Sequence, residues 1–257
     1  PDFADYESWL NRHGVDTSGV HVSETAHTAR FICTTDAEQN QIATFYAGAM
    51  SEARNIELKP IVDAVGSADI VLIGANDPLA MQRHTDECRF RGYPFAADPS
   101  QQLARMSGDE VKPLIEGAEY LFTNEYESAL IEQKTGWKAA DIADLVQVRV
   151  TTLGPKGARI ERRGEAPVHV AIAEEERKAD PTGVGDAFRA GFLTGQAWGL
   201  SDERSAQIGS LLATYVIETV GTQEYELAQK HFLERMAATY GDDAAAEVEG
   251  FISCIRP

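Results

Sequence analysis

Cysteine is scarce, with three in 257 residues. Cys33, Cys88 and Cys254 are far apart and no CxxC pair occurs. That excludes a disulfide framework and a thiolate metal cage, and it reads as reduced thiols in a cytosolic chain. Positive charge is also short: 23 Lys and Arg stand against 41 Asp and Glu, a formal net charge of −18. Without a cationic excess there is little to neutralise phosphates, so no nucleic-acid partner is expected. A small anionic ligand remains compatible, because it needs only a local positive site. No apolar run approaches the roughly 18 residues of a membrane span, so no membrane partner is expected either. There is no Walker loop of the form GxxxxGK[ST], and the glycines at 183 and 185 fail the GxGxxG dinucleotide pattern at Phe188. No leader peptide is read at the start, and the expected location is cytoplasmic.

Hydrophobic residues make up 43% of the chain, enough for a proper core. Phe3, Tyr6, Trp9 and Leu10 recur at helical spacing and Gly14 follows, predicting a helix over 1–14. Residues 21–24, 29–34 and 41–46 are short runs rich in β-branched or aromatic residues, the last two joined by a polar turn at 36–40. They predict three antiparallel strands in a small sheet over 18–50, ahead of an α/β domain over 51–257. The continuous apolar run 70–74 predicts a strand buried on both faces. Strand patterns ending near Ala97, Thr123 and Thr152 alternate with helical stretches, implying a mostly parallel sheet with right-handed crossovers. Residues 158–161 and 168–171 read as a later antiparallel pair, and the chain from 184 onward reads as mostly helical. The run Glu174-Glu175-Glu176 reads as solvated surface. The expected class is α/β, with a small β-sheet beside a larger body.

In open parallel sheets, ligands bind beyond the carboxyl ends of the strands. Four such tips are polar or glycine-rich: 74–77, 98–102, 123–124 and 152–154. The most informative segment is Asp180-Pro181-Thr182-Gly183-Val184-Gly185-Asp186. Its glycines allow a tight turn and close approach to a ligand, and a helix begins just after them. Backbone N–H groups at that helix start form an anion nest. Asp186, in the first turn, suits a base that takes a proton from an alcohol while the N–H groups of Gly183, Val184 and Gly185 hold a phosphoryl group. The plainer reading, a carboxylate that merely complements the helix dipole, stays open from this segment alone.

This segment resembles the C-terminal signature of the ribokinase-like (PfkB) carbohydrate and nucleoside kinases. Asn124-Glu125-Tyr126-Glu127 is similar to the family's N-x-x-E motif, and Thr152-Leu153-Gly154-Pro155-Lys156-Gly157 to its T-L-G-x-x-G loop. Within the family the pattern resembles bacterial adenosine kinases, through residues 27–31, 98–105 and 221–224. The resemblance implies a three-layer α/β/α fold with a mostly parallel central sheet and a β-sheet lid. It also implies ATP-dependent phosphorylation of a nucleoside 5′-hydroxyl, adenosine giving AMP in purine salvage.

Residue by residue, the resemblance makes Asp186 the catalytic base and assigns Arg105 to the transferring phosphate. Asn124, Thr152, Gly154, Gly157 and Gly185 would bind ATP. Asn124 and Glu127 would organise Mg²⁺ through its waters, which this cation tends to keep, although the pair also reads as a helix capping box. Asp180 and Thr182 would help hold a monovalent cation such as K⁺. Phe31 and Phe45 on the lid could sandwich a flat purine, which a plain sugar does not require; core packing is the alternative. Gln101 and Gln102 supply amides for the acceptor. Family members often pair through the lid, so a homodimer is expected to be possible. The competing functions are a sugar kinase of ribose or fructose type and a nucleotide-binding chain without turnover. The second follows because nothing before Pro1 matches the family's first strand and Gly-Gly motif, which implies a missing N-terminal part and little activity in the chain as written.

Overall fold

Helix α1 (Ala4–Arg12) forms where the aromatic spacing predicts it. Its rings stack along one side, Tyr6 on Trp9 at 5.8 Å and Trp9 on His13 at 4.0 Å. Gly14, at φ 76°, ends it. The computed structural model describes residues 2–36 and 41–252. Pro1, most of the expected polar turn (37–40) and Cys254 lie outside the described residues. The chain divides into two compact units, Pro1–Gln147 and Val148–Pro257.

In the first unit, β1 (Arg30–Thr35) and β2 (Gln41–Tyr46) form an antiparallel pair. Phe31 is registered directly against Phe45, and Ile32 against Thr44. Alternation therefore puts Phe31 and Phe45 on one face and Ile32, Ile42 and Tyr46 on the other. All five of these are exposed. The third strand expected at 21–24 does not form. Ser23 Oγ instead accepts the N–H groups of Thr25 (3.2 Å) and Ala26 (2.8 Å) and donates to Glu52 at 2.8 Å. A side-chain turn thus bends the chain directly after Ser23, where a strand would have run on.

The rest of this unit alternates strand and helix. A 3₁₀ segment (Gly48–Asn55) and α2 (Leu58–Val65) lead to β3 (Val71–Ile73), α3 (Pro78–Arg91) and β4 (Phe95–Ala97). A second 3₁₀ turn (Ser100–Ala104) and α4 (Gly108–Ile115) follow, then β5 (Tyr120–Asn124), α5 (Glu125–Thr135) and α6 (Ala139–Leu145). Strands β3, β4 and β5 are parallel in that order. Asp77 caps α3 by accepting the Ala80 N–H at 3.1 Å, with Pro78 opening the helix. The core contains Ile73, Met81, Phe95, Leu103, Leu114, Ile115, Leu121 and Ile131. Each such side chain contributes roughly 1.5–3 kcal/mol on burial. The run 70–74 is not buried on both faces: Leu72 is 45% exposed, because β3 is short and ends the row of strands.

In the second unit β6 (Val148–Thr152), β7 (Ala158–Arg162) and β8 (Val168–Val170) are antiparallel neighbours. Four helices follow: α7 (Val184–Ala197), α8 (Asp202–Ile217), α9 (Gln229–Tyr240) and α10 (Asp242–Glu249). Helices α7 and α8 meet backbone to backbone. A side chain on Gly191 would begin 2.7 Å from Gly209 Cα, and one on Gly195 would begin 2.6 Å from Ser205 Cα. Arg162 clasps Asp202, at the start of α8, through two bonds of 2.8 and 2.9 Å. Among the described residues no helix is long and apolar enough to cross a membrane.

Candidate active site

In the second unit, β6 ends at Thr152 and the chain turns through a 3₁₀ segment (Gly154–Lys156) before β7. The turn is closed by Leu153 N donating to Gly157 O at 2.7 Å and Gly157 N donating to Gly154 O at 3.0 Å. Gly157 has φ 91°, and a side chain there would begin 1.9 Å from the Val170 carbonyl of β8, so only glycine fits. Thr152, Gly154 and Gly157 line one face of a cavity of about 230 Å³. Val184, Gly185 and Phe188 of α7 line another, and Ser210, Ala213, Thr214 and Ile217 of α8 a third. Glu175 and Lys178 border it, paired at 3.0 Å, and the Lys178 ammonium holds the Glu175 carboxyl below its usual range. The cavity is mostly apolar with a few convergent polar groups, the usual character of a small-molecule site.

Residues 174–176 lie at the surface, Glu174 and Glu176 exposed and Glu175 half-buried at the cavity edge. Besides Glu175 at the cavity, Glu176 N donates to Glu218 Oε1 at 2.8 Å, which ties this segment to the end of α8.

The segment 180–186 wraps the start of α7. Asp180 Oδ1 accepts the Thr182 N–H at 2.9 Å and Oδ2 accepts the Gly221 N–H at 3.4 Å. Burial pushes the Asp180 carboxyl up, but these backbone donors outweigh it and leave it below the ordinary range. Gly183 takes the left-handed conformation (φ 83°), and a side chain there would press on Thr222 at 3.0 Å. Asp186 sits in the first turn of α7 with its carboxylate 83% exposed, and Oδ1 accepts from Arg189 Nη1 at 3.2 Å. Val184 and Gly185 line the cavity and immediately precede this carboxylate in sequence, so base candidate and cavity share one helix start.

The other expected residues belong to the first unit. Asn124 ends β5 and caps α5: its Oδ1 accepts the Glu127 N–H and Glu127 Oε2 accepts the Asn124 N–H, each at 2.8 Å. The capping-box reading is therefore correct. Glu127 is buried, and its Oε1 lies 3.4 Å from the Ser100 hydroxyl. Ser100, after β4, is the non-glycine with positive φ (46°) among the described residues. Gln101 is exposed and its Oε1 accepts from Ser100 Oγ at 2.7 Å, whereas Gln102 is buried and Arg105 is exposed. The tips after β3, β4 and β5 share one edge because these strands are parallel. Asn76, on the first tip, lines a separate cavity of about 420 Å³ with Val20, Thr28 and Met50.

The sequence reading did not single out the α8 wall, Phe188, Lys178 or Glu175. The signal for the wall was present as the helical spacing of 210, 213, 214 and 217, but that spacing also describes ordinary core.

Strand–helix alternation and this loop architecture define an α/β kinase-like chain, and comparison with known proteins gives its family. The chain belongs to the pfkB family of carbohydrate kinases, whose model matches residues 2–229. It is similar to a nucleoside kinase of Methanocaldococcus jannaschii, 28% identical over 221 residues, 85% of this chain and 70% of that protein. The structure of Burkholderia thailandensis nucleoside kinase in complex with inosine matches with a TM-score of 0.86 at 31% identity. That match covers 93% of this chain and 79% of the other. The same enzyme in complex with ADP-inosine matches at 0.84 and 32%, over 93% and 74%. Adenosine kinase of Sinorhizobium meliloti, at 0.72 and 20% identity over 86% and 71%, shares the fold. The expected ribokinase-like α/β class, with a small antiparallel sheet, is thereby established.

Proposed function

We propose that this chain transfers the γ-phosphoryl group of ATP to the 5′-hydroxyl of a purine nucleoside, adenosine first among them, giving AMP and ADP. The observation that carries the reading is Asp186 in the first turn of α7, immediately after Val184 and Gly185, which line the apolar cavity closed by the 152–157 turn. A nucleotide base in that cavity would have its phosphates near the N–H groups that open α7. The acceptor hydroxyl gives its proton to Asp186 as its oxygen bonds to the γ-phosphorus. The bond from γ-phosphorus to the bridging oxygen breaks, and ADP leaves. In this largely positional chemistry, Gly183, Val184 and Gly185 hold the transferring group.

A nucleoside rather than a sugar acceptor is favoured by Phe31 and Phe45, which oppose each other on one exposed face of the two-stranded sheet and offer a stacking surface for a flat base. Gln101 and Gln102 would add amide contacts. The nucleoside kinases similar to this chain, one of them in complex with inosine, support the same choice and make inosine the natural competitor of adenosine. Pairing of two copies through the exposed apolar residues of β1 and β2 is part of the proposal.

Mg²⁺ would travel with ATP and neutralise charge on its phosphates. Glu127 suits it: one buried carboxylate, already steadied by the Asn124 N–H, fits an ion that keeps most of its waters. Asp180 and Thr182 would border a monovalent cation beside the loop at 221.

Initial rates with adenosine, inosine, ribose and fructose, using ATP and Mg²⁺, test the reading. Nucleosides are expected to exceed sugars by about 5- to 150-fold in kcat/KM, the difference expected from stacking of roughly 1–3 kcal/mol. Ribose or fructose turned over as well as nucleosides would make the chain a sugar kinase. Asp186→Asn is expected to lower kcat by about 10²–10⁴ while ATP binding persists.

A further inference from the structure

Three residues along α7 from Asp186 lies Arg189, whose Nη1 is 3.2 Å from Asp186 Oδ1. The two ends differ in exposure. The Arg189 side chain is 14% exposed while its carboxylate partner is 83% exposed. An ordinary surface pair at this spacing has both ends in water and contributes little. Here the cation is anchored and the anion open.

The same guanidinium also lies beside Gly185. Its φ is not in the left-handed region, so backbone conformation does not demand glycine. A side chain at this position would begin 2.9 Å from Arg189 Nη1. Glycine at 185 leaves the room in which the guanidinium lies, and through it the contact to Asp186. One helix turn thus contains the anion-loop glycine, the base and a covered cation that reaches both.

We propose that Arg189 is the positioning residue for Asp186, an inference that rests on Asp186 acting as the base. An exposed aspartate otherwise samples several rotamers. A planar guanidinium engaging Oδ1 fixes the carboxylate plane and leaves Oδ2 to take the acceptor proton. The contribution is to orientation, and so to turnover.

Rates are measured for Arg189→Met, Arg189→Gln, Arg189→Lys, Asp186→Asn and the Asp186→Asn/Arg189→Met double variant. Thermal unfolding and calorimetry with a non-hydrolysable ATP analogue accompany them. Arg189→Met is expected to lower kcat about 10- to 100-fold, the cost of a misplaced group, with both KM values within about twofold of wild type. Arg189→Lys should recover part of the loss, and Arg189→Gln, which also removes the charge, should behave as Arg189→Met does. In the Asp186→Asn background Arg189→Met should cost nothing further, since it acts through the carboxylate. Wild-type kcat in Arg189→Met, a loss that appears only in KM, or full additivity in the double variant overturns the proposal and leaves the base assignment standing. Wild-type turnover in Asp186→Asn removes the base assignment itself, and this proposal with it. Should Arg189→Met fail to fold, Arg189→Gln and Arg189→Lys, each alone and with Asp186→Asn, decide the matter by the same criteria.

Discussion

Phe31 and Phe45 are directly opposite each other across β1 and β2, on the same face of the pair, and both are exposed. Two aromatic rings held in register and left open to solvent do not serve a core. If they stack on the acceptor base, Phe31→Ala or Phe45→Ala should raise the adenosine Kd about 5- to 150-fold, the range for one lost stacking contact. ATP affinity should stay within about twofold. Calorimetry with each ligand separates the two, and unchanged adenosine affinity in both variants would remove the physical support for a nucleoside acceptor.

The two glycines of the 152–157 turn should respond differently to alanine. Gly154 has φ 57° with open space where a side chain would go, so Gly154→Ala is expected to cost about 1–2 kcal/mol, the left-handed penalty alone. Gly157→Ala adds a collision with the Val170 carbonyl and is expected to cost more than about 2 kcal/mol. Urea unfolding should rank the variants in that order, and ATP affinity should fall with Gly157→Ala because the cavity wall moves. Equal midpoints would contradict the close approach of the turn to β8.

Ser100 holds a positive φ with its hydroxyl 3.4 Å from Glu127 Oε1. Strain of this kind costs on the order of 1–3 kcal/mol and tends to be kept at functional positions. Ser100→Gly is therefore expected to raise stability, by about 1 kcal/mol, while turnover falls. A variant that gains stability and keeps full turnover would mean that the hydroxyl does nothing for Glu127.

At the end of α8, Glu218 meets Arg235 of α9 through two bonds of 2.8 and 2.9 Å and also accepts the Glu176 N–H. Burial pushes the Glu218 carboxyl up, but the Arg235 guanidinium and the Glu176 N–H prevail and hold it below its ordinary 4.5. The folded protein therefore binds fewer protons at this site than the unfolded chain. Its stabilising contribution is complete above about pH 4.5 and fades as pH drops through the lowered value. Glu218→Gln should destabilise the protein by about 1.5–3 kcal/mol at pH 7, the range for hydrogen bonds to charged groups. It should also flatten the loss of stability below pH 4.5. Denaturation midpoints across pH 3–7 would expose a parallel pair of curves if the ion pair were inert.

Much of the candidate site was legible because its devices are local. A capping box occupies four consecutive residues, so Asn124 and Glu127 could be read without knowing the fold. Gly183 and Asp186 mark a helix start by residue type alone. The cavity's third wall was not legible in this way: Ser210, Ala213, Thr214 and Ile217 carry no chemical mark, and only the packing of α8 beside α7 gives them a role. Residues 21–24 failed for a different reason. Their composition imitates a strand, but the Ser23 hydroxyl accepts the N–H groups of Thr25 and Ala26 and turns the chain there. The run at 70–74 looked doubly buried because apolarity was counted without knowing that β3 would stand at the end of its row.

The contact of Gly191 with Gly209 has a mechanical consequence. With no side chains between them, the α7 and α8 backbones cannot slide or roll without collision, and interlocked backbones yield far less than side chains do. Asp186 thus rides on an anvil: a carboxylate in the first turn of α7 is carried by a helix that cannot give way, so any adjustment to an incoming molecule falls on that molecule.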